Sequence, residues 1–492
     1  MRFEQSIRSA GRLLMAGLLL ALPAAQANAS VVYNGAANAT DAPVAIATDS
    51  RGNVIVAGKS AARNDLVWPN YDIVVIKYAP DGTQKWAFRY DGSGLDDVPA
   101  AVLVDSRDNI YVVGTSHRQV YSWGQWTRDT DYVVIRIDAP FPIHSSLGDI
   151  LQEPGSWSWA RRYDDGVENS GEFPVADDIG TALVMGKIGI HDWLFVTGTS
   201  NSLPNHEENR ILTLRLDPLT GAVWDSARYV GLGQSYARGI AADTNGHIFV
   251  VGQTWDGNQS ADFVTLRYSN ATLDNVNGPG EDWPAQFDGY GRLDDPVAIK
   301  VRGASIYVTG MSRSAGNGGD FMTVKYDSGG NVVWRRPFGR GFGEDRPRAM
   351  ALDAAGNVYV TGYSDGGPGF GMDFLTLKYD ANGNARSWTF DGQVGGSDVP
   401  SAIAVDGADR VYVAGYSWDG GDHNYVTMRL NMNGGEQWVR AYDSGPLTMD
   451  YARAMAVTPS GLVYVTGQAD DNAQEGPNIL TKKYRWDGAV QW

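Results

Sequence analysis

Short runs of crowded or alternating apolar residues, each closed by a turn rich in Gly, Asn or Asp, recur along nearly the whole chain. The stretch from Ala351 to Gly392 shows the unit most plainly. A small apolar run and a Gly-Asn turn lead into Val358-Tyr359-Val360-Thr361 and then Gly362-Tyr363-Ser364. After a variable loop come a third run, Phe374 to Tyr379, and a fourth around Trp388 to Phe390. Runs of this length bounded by turn formers mark strands, and no long stretch keeps a 3.6-residue period. The pattern predicts an all-β chain with four strands per unit.

The glycine of the second run recurs at Gly58, Gly114, Gly198, Gly252, Gly310, Gly362, Gly415 and Gly467, spaced 56, 84, 54, 58, 52, 53 and 52 residues apart by subtraction. A period near fifty suits a four-stranded propeller blade with loops. The 84-residue gap holds no further anchor, so it is read as extra loop. First runs are small, as in Val44-Ala45-Ile46-Ala47 and Ala402-Ile403-Ala404-Val405, which suits the crowded strand nearest a propeller axis. Third runs begin at Asp72, Asp131, Asp262, Asp320 and Asp373, and fourth runs carry a tryptophan, as in Trp86 to Asp91. The chain stops at Val490-Gln491-Trp492, halfway through a fourth run. The missing half matches Val31-Val32-Tyr33-Asn34-Gly35. Pairing of the two terminal segments should therefore complete one outer strand and remove an exposed sheet edge.

Repeats such as GNVYVTGYS…DFLTLKYDANGN and ADRVYVAGYS…NYVTMRL resemble the bacterial SBBP (β-propeller repeat) family, over essentially all of Asp41 to Trp492. The resemblance implies a propeller, seven blades by the family's usual number, an exported or cell-surface location, and no catalytic residues. The eight anchors imply eight blades.

Bulk properties narrow the partners. Sixty glycines and 11% aromatics fit a turn-rich β chain, and a net charge of −17 argues against nucleic acid or an anionic membrane. Arg2, Arg8 and Arg12 precede the apolar run Leu13 to Leu22 and the small-residue site Ala27-Asn28-Ala29. This reads as a signal peptide over 1–29, leaving one propeller domain over 30–492 in the periplasm, outside the cell or on its surface. The run is too short to span a membrane, and the mature protein is expected to be a monomer without membrane insertion. Cysteine is absent, so disulfides do not stabilise it.

Most motif-like residues dissolve into the repeat. Gly362-Tyr363-Ser364-Asp365-Gly366 matches a nucleophile elbow, yet the same slot holds Ser60, Ser116, Ser200, Ser312, Ser417 and Thr254. Asp41, Asp97, Asp178, Asp294, Asp345, Asp398 and Asp450 share a slot before the first strand, and Ser235 replaces them in blade four. They are read chiefly as turn caps bonding backbone N–H groups. The alternative is a ring of carboxylates at the channel mouth that could hold Ca²⁺. Lys77, Arg136, Arg215, Arg267, Lys325, Lys378, Arg429 and Lys483 fill a third-strand slot, with turn carboxylates such as Asp49, Asp105, Asp353 and Asp406 as expected partners. Asp327, Gly330 and Trp334 resemble the tryptophan-docking motif of quinoprotein dehydrogenases. The vicinal cysteines of alcohol-oxidising members are absent, and no cofactor is expected.

Residues outside the repeat are the better functional candidates. The loops between second and third strands share one face with those leading into each first strand. There blade two contributes Tyr121, Trp123 and Trp126 within His117 to Thr130, and Trp68, Trp255 and Trp418 come from blades one, four and seven. Aromatics beside carboxylates suit a glycan, peptide or protein ligand, and packing of their own loops is the competing account. The sequence thus reads as an exported binding module. A secreted hydrolase or lyase with carboxylates at the channel mouth and a structural cell-surface protein stay open beside it. No catalytic residue is assigned.

Overall fold

The computed structural model describes residues 30–492 apart from 36, 38, 63–69, 123–124, 140–157, 165–176, 202–208, 256–259, 270–272, 274–282, 290, 314–317, 342, 368, 370, 393–394, 432–434, 447 and 471–475. Its strands form eight four-stranded antiparallel sheets, each a blade of a β-propeller. Blade one comprises Asp41–Thr48, Val54–Ala61, Tyr71–Tyr78 and Gln84–Tyr90, in that order outwards from the axis. The first strand of every blade packs on the first strands of its two neighbours, and blade one meets blade eight, so the ring is closed. Hydrophobic core lies between blades, not within them. Eight clusters are each drawn from two adjacent sheets, as where Val54, Val56 and Tyr78 of blade one meet Tyr464, Ile479 and Trp492 of blade eight. Both faces of a blade are therefore buried, which explains near-continuous apolar second and third strands.

The anchor glycine has a steric cause. In all eight blades the first strand slips register against the second, as between Pro43 and Ala45 or Pro347 and Ala349. Such a bulge bends the strand and drives its backbone toward the facing residue. A Cβ on any of the eight glycines would fall inside 3.0 Å of a carbonyl oxygen of that strand. Only glycine fits, so anchor and bulge recur together.

Tryptophans fasten the seams. Trp159, Trp283, Trp334, Trp438 and Trp492 each lie over a turn glycine of the next blade (Gly221, Gly330, Gly383, Gly488 and Gly82, in ring order), where a Cβ would meet the indole at 2.8 to 3.0 Å. The indole N–H of Trp334, Trp438 and Trp492 donates to a carbonyl of the same turns. The third-strand cations perform the structural task expected of them, but with a different partner. Lys77 reaches its own turn aspartate, Asp49, at 2.8 Å. Arg136, Arg267, Lys325, Arg429 and Lys483 donate instead to carbonyls of the next blade's turn: Leu219, Ser328, Ala381, Trp486 and Pro80. In blades two, six and seven the reason is a tyrosine in between. Tyr111, Tyr359 and Tyr412 take up Asp105, Asp353 and Asp406 through their hydroxyls. The cation then lies over the ring face, as Lys378 does over Tyr359 at 5.1 Å.

Closure follows the expected register. Val31–Tyr33 pairs antiparallel with the third strand of blade eight, Val31 opposite Thr481 and Tyr33 opposite Ile479. Lys483 N–H donates to Trp492 O, and Gln491 N–H donates to Lys483 O. Trp492 thus takes the position of Trp86 opposite Lys77 in blade one, and Val31 that of Phe88 opposite Val75. One outer strand is built from both ends of the described chain, giving eight blades.

Candidate functional site

A blade is a meander, so its 2–3 loop and its link to the next blade emerge on one face, and its 1–2 and 3–4 turns on the other. The seven aspartates stand on the first face, each fully or nearly fully buried. Six accept a main-chain N–H from the incoming link. The donors are Gly35 to Asp41, Gly92 to Asp97, Gly289 to Asp294, Arg340 to Asp345, Gly392 to Asp398 and Ser444 to Asp450, at 2.5 to 2.9 Å. This is the capping role. In register, Asp41, Asp97, Asp294 and Asp345 face Ser60, Ser116, Ser312 and Ser364 across the first two strands. The recurring serine is therefore a partner of the cap and not a nucleophile elbow. In blade four a neutral Ser235–Thr254 pair, 2.9 Å apart, does the same.

Among the described residues these aspartates do not gather with one another into a group that could share an ion. Where acids converge among the described residues, Asp97 and Asp294 meet carboxylates from the preceding blade's third strand and from the residue just past its fourth: Asp72 and Asp91, and Asp262 and Asp288. Third-strand acid, the acid just past the fourth strand and cap thus form a seam cluster, which sequence comparison by single slots did not reveal.

Blade two departs from its siblings. Its second and third strands, Ile110–Ser122 and Gln125–Ile137, are 13 residues each against 8 in blade one. The segment His117 to Thr130, expected as a loop, continues both strands as a paired arm with Arg118 opposite Asp129 and Tyr121 opposite Trp126. Val120, Tyr121, Trp126, Thr127 and Thr130 favour extended backbone, and this local preference outweighs the polar residues that suggested a loop. The flanking strands stop lower down. Blade two's first strand is registered only up to Ser116, and its fourth ends at Tyr163, opposite Tyr132. Above that level His117 N–H donates to Asp96 O and Thr130 bridges Asp177, and from Arg118 to Asp129 the ladder runs between the two arm strands. Trp126 is 68% exposed near the tip.

At the arm's base lies a charge cluster. Arg118 bonds Asp129 at 2.6 Å and Asp164 at 2.7 Å, and faces Asp131 at 3.4 Å. Arg162 stands 3.7 Å from Asp131 and donates to Ser116 Oγ at 2.6 Å. Burial, and then the neighbouring Asp129 charge, push the Asp131 carboxyl up to about 7. Burial also raises Asp178 to about 7, with Asp164, Asp131 and Asp129 adding to it. Low-dielectric surroundings and like charges both favour the protonated form. Of this cluster, sequence reading named Asp131 and Asp178. Arg118, Asp129 and Asp164 escaped it because they count as charged loop residues until the arm is seen as strand.

The aromatic candidates spread round the ring. Trp126, Trp255 and Trp418 belong to blades two, four and seven, and Trp68 and Trp123 lie outside the described residues, as does the side chain of Tyr121. Trp255 is 37% exposed at the end of its strand. Trp418 packs edge-on against His423, centroids 5.1 Å apart, and His423 stands 5.6 Å from Tyr451. That is packing of its own loop, and the structure does not bring these tryptophans to one pocket.

Residues 333–370 match the family model of the SBBP β-propeller repeat. No curated protein matches the chain in sequence. Among solved structures, Sqt1 from Chaetomium thermophilum is similar at 12% identity and TM-score 0.49, covering 92% of this chain and 99% of that one. A PL25 polysaccharide lyase, an ulvan lyase, is similar at 12% identity and TM-score 0.44, covering 94% and 97%. The polysaccharide lyase Uly1 is similar at 11% identity and TM-score 0.43, covering 95% and 94%.

Proposed function

We propose that this protein is an exported propeller acting as an interaction module, with the blade-two arm as the element that engages a peptide or protein partner. The observation that carries this is the arm itself: two paired 13-residue strands rising past the flanking strands, with Trp126 68% exposed near the tip. The scaffold needs no such extension, since seven other blades fold without it. A projecting two-stranded arm suits strand addition by an extended segment, and an exposed indole supplies an anchor with large contact area. A projecting arm fits a partner's groove better than it cradles a sugar. Export rests on the N-terminal Arg-rich and apolar segment within residues 1–29.

A hydrolase or lyase reading would draw on Asp131 and Asp178, whose carboxyls are poised near neutral pH. A general acid or base must reach the proton it transfers. Both side chains are wholly buried, which supports a structural role for them.

The test is site-specific photo-crosslinking in intact cells, with a photoreactive phenylalanine replacing Trp126 or, as control, Val333, which is 52% exposed. A discrete adduct from position 126 alone is expected. No adduct there, or the same adduct from position 333, would contradict the proposal.

A further inference from the structure

Blade three breaks the tryptophan pattern. The position opposite the third-strand cation, filled by Trp86 in blade one, Trp334 in blade five and Trp438 in blade seven, holds Asp225 opposite Arg215. Asp225 fastens the seam by other means: it accepts Leu273 N–H of blade four at 2.7 Å and faces Arg215 at 3.5 Å. The tryptophan sits one residue earlier, at Trp224. A one-residue shift turns a strand side chain to the opposite face. Trp224 is accordingly 67% exposed, released from the docking its counterparts perform.

It is not isolated. Trp224 leans on Trp193 with ring centroids 5.2 Å apart and planes at 53°, and the Arg215 guanidinium holds Trp193 from 5.0 Å. The two rings line a cleft of about 520 Å³ between the turns of blades two and three, on the face opposite the arm. Ile190 and Leu219, 90% and 49% exposed, add apolar surface. Asp105, Asp192, Asp217 and Arg107 supply the charge around it. The Asp105 carboxylate is committed to the N–H groups of Arg107 and Asn109 in its own turn. Asp192 lies half-exposed beside Lys187, at 3.4 Å.

We propose that this cleft binds a neutral oligosaccharide. A pyranose has an apolar C–H face that stacks on an exposed indole, and hydroxyls that need acceptors and donors at its rim. Trp224 offers the first, and Asp192, Asp217 and Arg107 the second. The volume lies within the range of small-ligand sites. Charge selects among glycans by offering anions no net attraction: Asp105, Asp192 and Asp217 are balanced by Arg107, Lys187 and Arg215, so sulfated or uronate chains gain nothing here over neutral ones. The site stands on its own observations, and its failure would leave the arm untouched.

The measurement is binding of the purified full chain to an array of neutral, sulfated and uronate-containing hexasaccharides, followed by titration of the strongest binder. Neutral chains should bind, with a loss of roughly tenfold or more in Trp224→Ala, partial recovery in Trp224→Phe and no change in Trp126→Ala. Asp192→Asn supplies a second variant at the rim and should weaken binding with melting unchanged. Absence of binding, preference for anionic chains, or equal binding by Trp224→Ala would overturn the site. Trp224-dependent self-association in sedimentation would overturn it too, by making the patch a contact between copies.

Discussion

Single residues explain how a 50-residue repeat stays in register. Gly362 faces Arg346 O, Phe321 and the Pro347 backbone so closely that no side chain fits. Gly362→Ala should destabilise the protein by about 1–3 kcal/mol, as overpacking does. Gly421→Ala, whose Cβ would meet only Asp419 Oδ1 at 3.5 Å, should be nearly neutral. Urea denaturation of the two variants checks the contrast, and equal midpoints would refute it. Where the turn glycine is replaced, a compensation is visible. Asp108 and Asp409 hold φ of 66° and 58°, and each carboxylate reaches the previous blade's turn, bonding Ser50 and Ala354 N–H at 2.8 Å. Left-handed strain is thereby exchanged for an inter-blade tie.

Titration belongs to this scale too. Burial raises Asp97, Asp294 and Asp450 to about 6, and Asp131 and Asp178 to about 7. The folded chain therefore holds protons between roughly pH 4 and 7 that the unfolded chain has released. Stability from these groups is complete below the unfolded pKa and is lost as pH rises through 6 to 7. His423, lowered by burial, opposes them as a single group. Melting should thus be higher at pH 5 than at pH 7.5, and Asp131→Asn should shrink the difference. A melting temperature that rises over that interval would contradict the assignment.

At the scale of elements, the outer strand of blade eight is built from distant parts of the chain. Val31–Tyr33 supplies its ladder, and Gly35 N–H supplies the Asp41 cap. Deleting Ser30 to Gly35 should lower the melting temperature and promote aggregation through the exposed edge; unchanged melting would refute the closure. This join was legible because Trp492 and Tyr33 match two slots that every reader of the repeat can align. The blades were legible for a similar reason: bulge and glycine demand each other at all eight positions. The arm was not, because His117 to Thr130 mixes charged and aromatic residues without clean alternation, and read as a loop. Of the cation partners Lys77–Asp49 was legible and Arg136's was not, since Asp105 and the Leu219 carbonyl are equally plausible for Arg136 until the intervening Tyr111 is placed. Trp224 was not singled out, because a tryptophan is the rule in fourth runs and the one-residue shift shows only in the strand register.

Across the whole molecule, what recurs from blade to blade is scaffold, and it occupies both faces of the ring. Seam clusters, docking tryptophans and buried caps hold eight sheets together, and every blade spends similar residues on that task. Blades two and three depart most from it, one through the arm and the other through Trp224, on opposite faces. A module that grips a partner on one side and a neutral glycan on the other would bridge two components of a surface. The arm is the central element of this account, and it can be removed cleanly. Arg118 and Asp129 are cross-strand partners, so excising Gln119 to Arg128 and joining them with Asn-Gly restores a two-residue hairpin. The Arg118 cluster stays intact, and the lost Arg128–Asp96 pair is exposed and worth little. The decisive measurement is binding of the trimmed protein to intact cells of its own source, beside its melting temperature. Melting within a few degrees of the parent with binding weakened about tenfold or more is the predicted result. Undiminished binding by a folded, armless propeller would contradict it.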